Sequence, residues 1–209
     1  TAIEIDRDLA AQLRPKLPAN ADILVADVLQ TDFARLTSED PVRVAGNLPY
    51  NISSPILFML LRAARGGAAV TDATLMLQFE VAERLTAAVG THEYGVLTIL
   101  TTLHANVKRV LTLPPGAFRP MPRVRSAVVR LTFRPPVVAL GDESRFERLV
   151  RSLFTRRRKM LLNALRPFAD EVGTDSSRLL ANAGIDARRR PETLQLTELA
   201  RLAEQRSSS

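Results

Sequence analysis

The chain has 209 residues, 46% hydrophobic and 24% charged, a balance that fits a water-soluble globular protein with one large core or two smaller ones. Its longest apolar runs, Ser54 to Leu61 and Val96 to Leu103, fall far short of the roughly 18 consecutive apolar residues of a membrane span, and nothing at its start reads as a secretion signal, so the expected compartment is the cytoplasm. The absence of cysteine, with only His92 and His104 as histidines, excludes a disulfide framework, a thiolate zinc site and a cysteine nucleophile, while a net charge of +7 points toward a polyanionic partner.

Thr1 to Asp6 alternates like a strand and runs directly into a helical stretch, Arg7 to Leu17, as though the chain opened inside a sheet. A short strand is expected at Asp22 to Val25 and another at Pro41 to Ala45, followed by an amphipathic helix from Ser53 to Arg65 that Gly66-Gly67 breaks. Ser53-Ser54 and Pro55 read as its N-cap and first-turn proline. Thr74 to Gln78 is the next strand, with helices from Phe79 to Ala88 and Tyr94 to His104 and an extended stretch from Val107 to Leu113. Alternation of strand and helix argues for an α/β layer with a mainly parallel sheet.

Prolines 114, 115, 120 and 122 then forbid regular structure before a final strand, Ser126 to Phe133. Pro135-Pro136 and Gly141 form a linker, which divides the chain into an α/β domain, residues 1–136, and a small all-α domain, residues 137–209. In the second part Phe146, Leu149, Val150 and Leu153 repeat at helical spacing, further helices are expected over 157–168, 175–183 and 193–206, and Ser207 to Ser209 should be a frayed end.

In an open parallel sheet, ligands sit beyond the carboxyl ends of the strands, where Glu4, Asp6 and Asp27 fall. Glu4 suits the acid that accepts hydrogen bonds from ribose hydroxyls, yet none of the nine glycines forms the G-x-G-x-x-G turn that normally precedes it. Gly46-Asn-Leu-Pro-Tyr-Asn51 is sharper, because it lies between a strand and a helix. The Asn47 amide oxygen and a nearby backbone carbonyl offer two acceptors, and Tyr50 offers a flat face, a set suited to an exocyclic amine on a planar base. The bland alternative is a strand-to-helix turn built from Asn and Pro.

Basic charge is uneven along the chain. Of 29 Lys and Arg only Lys16, Lys108 and Lys159 are lysines, and residues 109–209 carry a net +10 against −3 for residues 1–108. Arg156, Arg157, Arg158 and Lys159, then Arg188, Arg189 and Arg190, and the trio Arg119, Arg123 and Arg125 could line one RNA groove, with binding that weakens steeply in salt. Solvated helix faces, or arginines holding carboxylates, are the alternative.

Asn47-Leu-Pro-Tyr50 followed by Asn51-Ile-Ser-Ser-Pro55 resembles the catalytic motif of the ribosomal RNA adenine N6-dimethyltransferases of the KsgA type. Met76 to Leu85, Glu93-Tyr-Gly95, Phe118 to Leu131, Phe154 to Asn163, Gly184 to Asp186 and Arg190-Pro-Glu192 are similar to successive family segments, so the likeness runs from Thr1 to about Leu202. It implies a Rossmann-like S-adenosylmethionine-dependent methyltransferase sheet, N-terminally incomplete, followed by the helical domain, in a piece of a longer enzyme. It implies N6-dimethylation of adjacent adenines in small-subunit (16S) ribosomal RNA, on the assembling 30S subunit, by a monomer without metal.

By the same resemblance Glu4 would hold the cofactor ribose and Asp27 with Val28 the cofactor adenine. Asn47, with the backbone of Leu48 and Pro49, would hold the target amine, and Tyr50 and Phe118 would sandwich the target base. Two rivals remain at this point: a large-subunit RNA adenine methyltransferase of the macrolide-resistance type, which shares the N-[LI]-P-Y core, and an RNA-binding module that takes no cofactor. Phe79 departs from the family, whose members often place a polar or basic residue after Leu-Gln.

Overall fold

The computed structural model describes residues 1–36 and 41–205. Strand β1 (Ala2–Glu4) runs parallel to β2 (Ile23–Val25), with Glu4 beside Val25. Between them α1 (Arg7–Leu13) is capped by Asp6, whose carboxylate accepts from the Asp8 and Leu9 N–H groups. This helix stops at Leu13 instead of Leu17, and Pro15 falls in a 3-10 turn, Arg14–Lys16. After a second 3-10 turn, Val28–Gln30, and the short α2 (Phe33–Leu36), a second sheet begins.

That sheet contains β3 (Val42–Asn47), β4 (Val70–Gln78), β5 (Ala105–Leu113) and β6 (Ser126–Phe133), in the spatial order β3-β4-β6-β5. β3 and β4 are parallel, but β6 lies antiparallel to both β4 and β5, so the expectation of a mainly parallel sheet is corrected to a mixed one. The cause is local: the segment between β5 and β6 holds only a 3-10 turn, Pro115–Ala117, and without a crossover helix the chain can only double back. Among the described residues β1 and β2 form a two-stranded sheet of their own, hydrogen-bonded to none of these four strands.

α3 (Ser53–Arg65) follows β3 and α4 (Phe79–Leu85) follows β4. α3 buries Ile56, Leu57, Leu60 and Leu61, a stripe at helical spacing, in the same core as Ala73, Leu75, Leu77, Ala127, Val129 and Leu131 of the sheet. Its N-cap is Ile52, not Ser53, and the Ser53 hydroxyl instead donates to the Tyr50 carbonyl at 3.2 Å. α5 (Val96–His104) turns mainly to a second core, where Ile99, Leu100 and Leu103 meet Phe146, Leu149, Val150 and Leu153 of α6 (Glu143–Thr155).

α7 (Leu161–Ala164), α8 (Arg166–Glu171), α9 (Ser176–Asn182) and α10 (Leu196–Glu204) complete that core. The single helix expected over 157–168 is thus two short ones, and Pro167, which has no N–H to give, stands in the first turn of the second. The expected frayed end at Ser207 to Ser209 lies outside the described residues. Tyr94 is buried beside the same core and donates to the Leu194 carbonyl at 2.9 Å; burial and the Glu198 charge push its phenol up to about 12, so it stays protonated. No helix of the described residues is long and apolar enough to cross a membrane.

One buried charge helps to fix the sheet register. Asp72 of β4 is 7% exposed and is held by Arg43 of β3 at 2.9 Å and Arg130 of β6 at 3.0 Å. Burial alone would raise its pKa, but the two guanidiniums outweigh burial and hold the carboxyl below its usual 3.8. A lowered pKa means that this stabilisation is complete above about pH 4 and is lost as acid protonates the group. Asp72→Asn should therefore lower stability by about 1–3 kcal/mol at pH 7, and the difference from the parent should shrink below pH 4 in urea melts.

Candidate active site

β3 ends at Asn47, whose register partner is Met76 of β4, and the Leu48 N–H donates to the Met76 carbonyl at 2.9 Å. The chain then turns, with the Ile52 N–H on the Pro49 carbonyl at 3.2 Å, before α3 begins. Leu48 is buried and anchors the turn in the sheet core, whereas Asn47 and Pro49 are exposed and Tyr50 is half-buried. Among the described residues the Asn47 amide has no side-chain partner, so its oxygen is available to a ligand at the carboxyl edge of the sheet.

The same edge receives the loop that carries Phe118. Ser126, the first residue of β6, pairs with Gln78 at the end of β4 and with Leu113 at the end of β5. Residues 114–125 therefore leave and rejoin the sheet at this edge, and Phe118 within them is half-buried. The tie to the turn is direct: the Tyr50 hydroxyl and the fully buried Ser126 hydroxyl are 2.9 Å apart. Reading the sequence did not single out Ser126, because a serine at a strand start gives no sign of a partner 76 residues away.

Glu4 closes β1 beside Val25, the last residue of the parallel strand β2, and Asp27 follows two residues after Val25. One Glu4 oxygen accepts from the Asp6 N–H at 2.9 Å, which orients the carboxylate and leaves its other oxygen open. Asp27 is more committed. It caps the Val28–Gln30 turn through the Leu29 N–H at 2.9 Å and receives the Gln30 side-chain amide at 3.2 Å. Val28 packs against the sheet core. Two carboxylates at and just beyond adjacent strand ends, one with a free oxygen, suit hydroxyl and amine donors of a nucleoside.

The basic groups divide by environment. Leu161 N–H donates to the Arg189 carbonyl at 2.7 Å and Leu162 N–H to the Ala187 carbonyl at 3.1 Å, so the Arg156 to Lys159 turn and the Arg188 to Arg190 turn are neighbours. Not every arginine there is free for RNA. Arg157 donates to the Thr91 and His92 carbonyls, Arg188 holds Asp186, and Arg189 is bound to Glu198 and the Thr193 carbonyl. The Arg189–Glu198 pair holds the carboxyl below its ordinary range chiefly through that hydrogen bond. Arg156, Arg158, Lys159 and Arg190 stand exposed.

Arg119, Arg123 and Arg125 lie on the loop between β5 and β6, and no hydrogen bond or ion pair among the described residues links them to the other two groups. Arg125 is exposed, and its guanidinium lies 3.9 Å from the centroid of the Phe79 ring. No group of three or more His, Asp or Glu side chains placed to hold a metal occurs among the described residues.

Comparison with known proteins agrees with this architecture. The family model "Ribosomal RNA adenine dimethylase" matches residues 1–202. A "Ribosomal RNA small subunit methyltransferase A" of Acinetobacter baylyi is 43% identical over 209 residues, 98% of this chain and 73% of that protein. One of the same name from Xanthomonas euvesicatoria is 44% identical over 206 residues, 97% of this chain and 75% of the relative. Among solved structures, a dimethyladenosine transferase from Plasmodium falciparum shares the fold, with a TM-score of 0.72 at 23% identity, over 96% of this chain and 78% of that one. The 23S rRNA methyltransferase ErmE superposes with a TM-score of 0.66 at 27% identity, over 97% of this chain and 79% of its own. A family match across nearly the whole chain, on an α/β methyltransferase fold with its signature turn at a strand end, means that this chain belongs to the ribosomal RNA adenine dimethylase family.

Proposed function

We propose that this protein dimethylates the N6 amines of adjacent adenines in small-subunit ribosomal RNA, with S-adenosylmethionine as methyl donor. The observation that carries the reading is the Asn47-to-Tyr50 turn, set at the carboxyl end of β3 and tied through Ser126 to the base of the Phe118 loop. Its residues carry the likeness to the family's catalytic motif, in a chain that matches that family over residues 1–202.

S-adenosylmethionine, when bound, supplies a methyl group on a sulfonium. Glu4 would accept hydrogen bonds from its ribose through the open carboxylate oxygen, and Asp27 and Val28 would flank its adenine. Asn47 and the backbone of Leu48 and Pro49 would act on the other reactant. An adenine amine is a weak nucleophile because its lone pair is delocalised into the ring. Acceptors that take both its protons favour a pyramidal nitrogen and aim the lone pair. Tyr50 and Phe118 would hold the base flat once it has left its stack, and no strong general base is required, because the nitrogen becomes acidic as it gains the methyl group.

Arg119, Arg123, Arg156, Arg158, Lys159 and Arg190 are the side chains proposed to meet RNA phosphates and fix the register of a structured RNA. We place the protein in the cytoplasm, acting as a monomer on the assembling 30S subunit, with its α/β part over 1–136 and its helical part over 137–209.

Primer extension tests the reading. After incubation of the protein with S-adenosylmethionine and unmethylated ribosomal RNA, reverse transcriptase should stop at two adjacent adenines in the small-subunit RNA and nowhere new in the large-subunit RNA. Stops confined to large-subunit RNA would move the protein to the other adenine methyltransferases, and failure to bind S-adenosylmethionine in calorimetry would reduce it to an RNA-binding module.

A further inference from the structure

Phe79 opens α4 at the same sheet edge as Asn47. Its N–H is one of the donors that a helix start leaves without an internal partner, and it donates to the Arg125 carbonyl at 3.0 Å. Its half-buried ring also faces two cations: the Arg125 guanidinium at 3.9 Å from the centroid and that of Arg109, on β5, at 5.1 Å. Both distances lie within the range in which a ring's negative face attracts a guanidinium.

The next residue after Arg125 is Ser126, which holds the Tyr50 hydroxyl. The returning end of the Phe118 loop is thus gripped at two consecutive residues, once by Phe79 and once by Tyr50. We infer that Phe79, with Arg125 and Arg109 over its ring, is a positioning clamp that sets the 114–125 loop and thereby the plane that Phe118 offers to the target base.

The inference rests on the stacking role proposed for Phe118. It also gives Arg125 a different task from phosphate binding: a guanidinium laid on an aromatic face is oriented by that face. A lysine or glutamine in place of Phe79 would fill part of the space without offering a negative face, and a lysine would repel both arginines. The clamp therefore needs an aromatic ring at position 79 and a guanidinium at position 125.

The test compares Phe79→Leu, Phe79→Tyr, Arg125→Gln and the Phe79→Leu, Arg125→Gln pair in the full chain. Phe79→Leu and Arg125→Gln should each lower kcat for methyl transfer roughly three- to tenfold, with KM for RNA changed less than twofold; the pair should be no slower than either alone, and Phe79→Tyr should behave as the parent. Hydrogen exchange reads the clamp without catalysis. The Ala117 and Phe118 amides, which donate to Pro114 and Pro115 carbonyls, should exchange severalfold faster in Phe79→Leu and at the parent rate in Phe79→Tyr.

A rise in KM with unchanged kcat for Arg125→Gln would make that arginine a phosphate contact and overturn the clamp, as would multiplicative losses in the pair or unchanged exchange in Phe79→Leu. If the parent transfers no methyl group, the functional reading fails while the exchange experiment still decides whether the clamp exists.

Discussion

Asn47→Ala should cut methyl transfer to ribosomal RNA by a factor of about a hundred to a thousand while leaving RNA affinity within twofold of the parent. The scale is that of removing one preorganised hydrogen-bonding group from a reacting centre. The selectivity follows from position. Asn47 is exposed at the strand end, its turn is held by Leu48 through a backbone bond and a buried side chain, and neither depends on the asparagine amide. The fold should therefore survive and only the alignment of the amine should be lost. Single-turnover transfer of a labelled methyl group, set beside filter binding of the same RNA, checks both halves. Parallel losses in rate and affinity would remove Asn47 from the chemistry.

Phe118→Ala should lower kcat/KM for RNA by about ten- to a hundredfold, because stacking a base on an aromatic face contributes roughly 1–3 kcal/mol. Tyr50→Ala should match it. Tyr50→Phe separates two roles that share one side chain: it keeps the face and loses the bond to Ser126, so a reduction of no more than about tenfold is expected from one neutral hydrogen bond. Calorimetry with S-adenosylmethionine should give parent affinity for all three variants. If Phe118→Ala transfers methyl groups at the parent rate, a base pinned between two rings is the wrong picture of this site.

The sequence made some of this structure readable and hid the rest for physical reasons. The helix Ser53–Arg65 and the strand Ser126–Phe133 were legible to the residue, because their apolar spacing matches the face each buries. The reversal of β6 is written not in the strands, whose alternation shows that a segment is extended but not which way its neighbour runs, but in the connection before it, where closely spaced prolines leave no crossover helix. Likewise the Asn47-to-Tyr50 turn announced itself by residue type and spacing, whereas the Tyr50–Ser126 and Phe79–Arg125 contacts join residues far apart in sequence and leave no local trace.

Arginine showed the same limit. Arg157, Arg158 and Arg189 look alike as letters, yet Arg157 secures loop carbonyls and Arg189 a carboxylate while Arg158 stands exposed. A charge run identifies a basic region and cannot apportion its members between scaffold and substrate.

α5 leans on both halves of the molecule: Leu97 packs against the sheet core, and Ile99, Leu100 and Leu103 belong to the core of the later helices. Its C-terminal His104 is hydrogen-bonded to Glu143 at the start of α6, and Glu143 also takes Arg65 of α3 at 3.0 Å. The proline pair at 135 and 136 is thus a seam in the polypeptide but not in the solid. Severing the chain there would strip three large aliphatic groups of their cover and hand water a greasy flank, so neither portion could be lifted out with its interior whole.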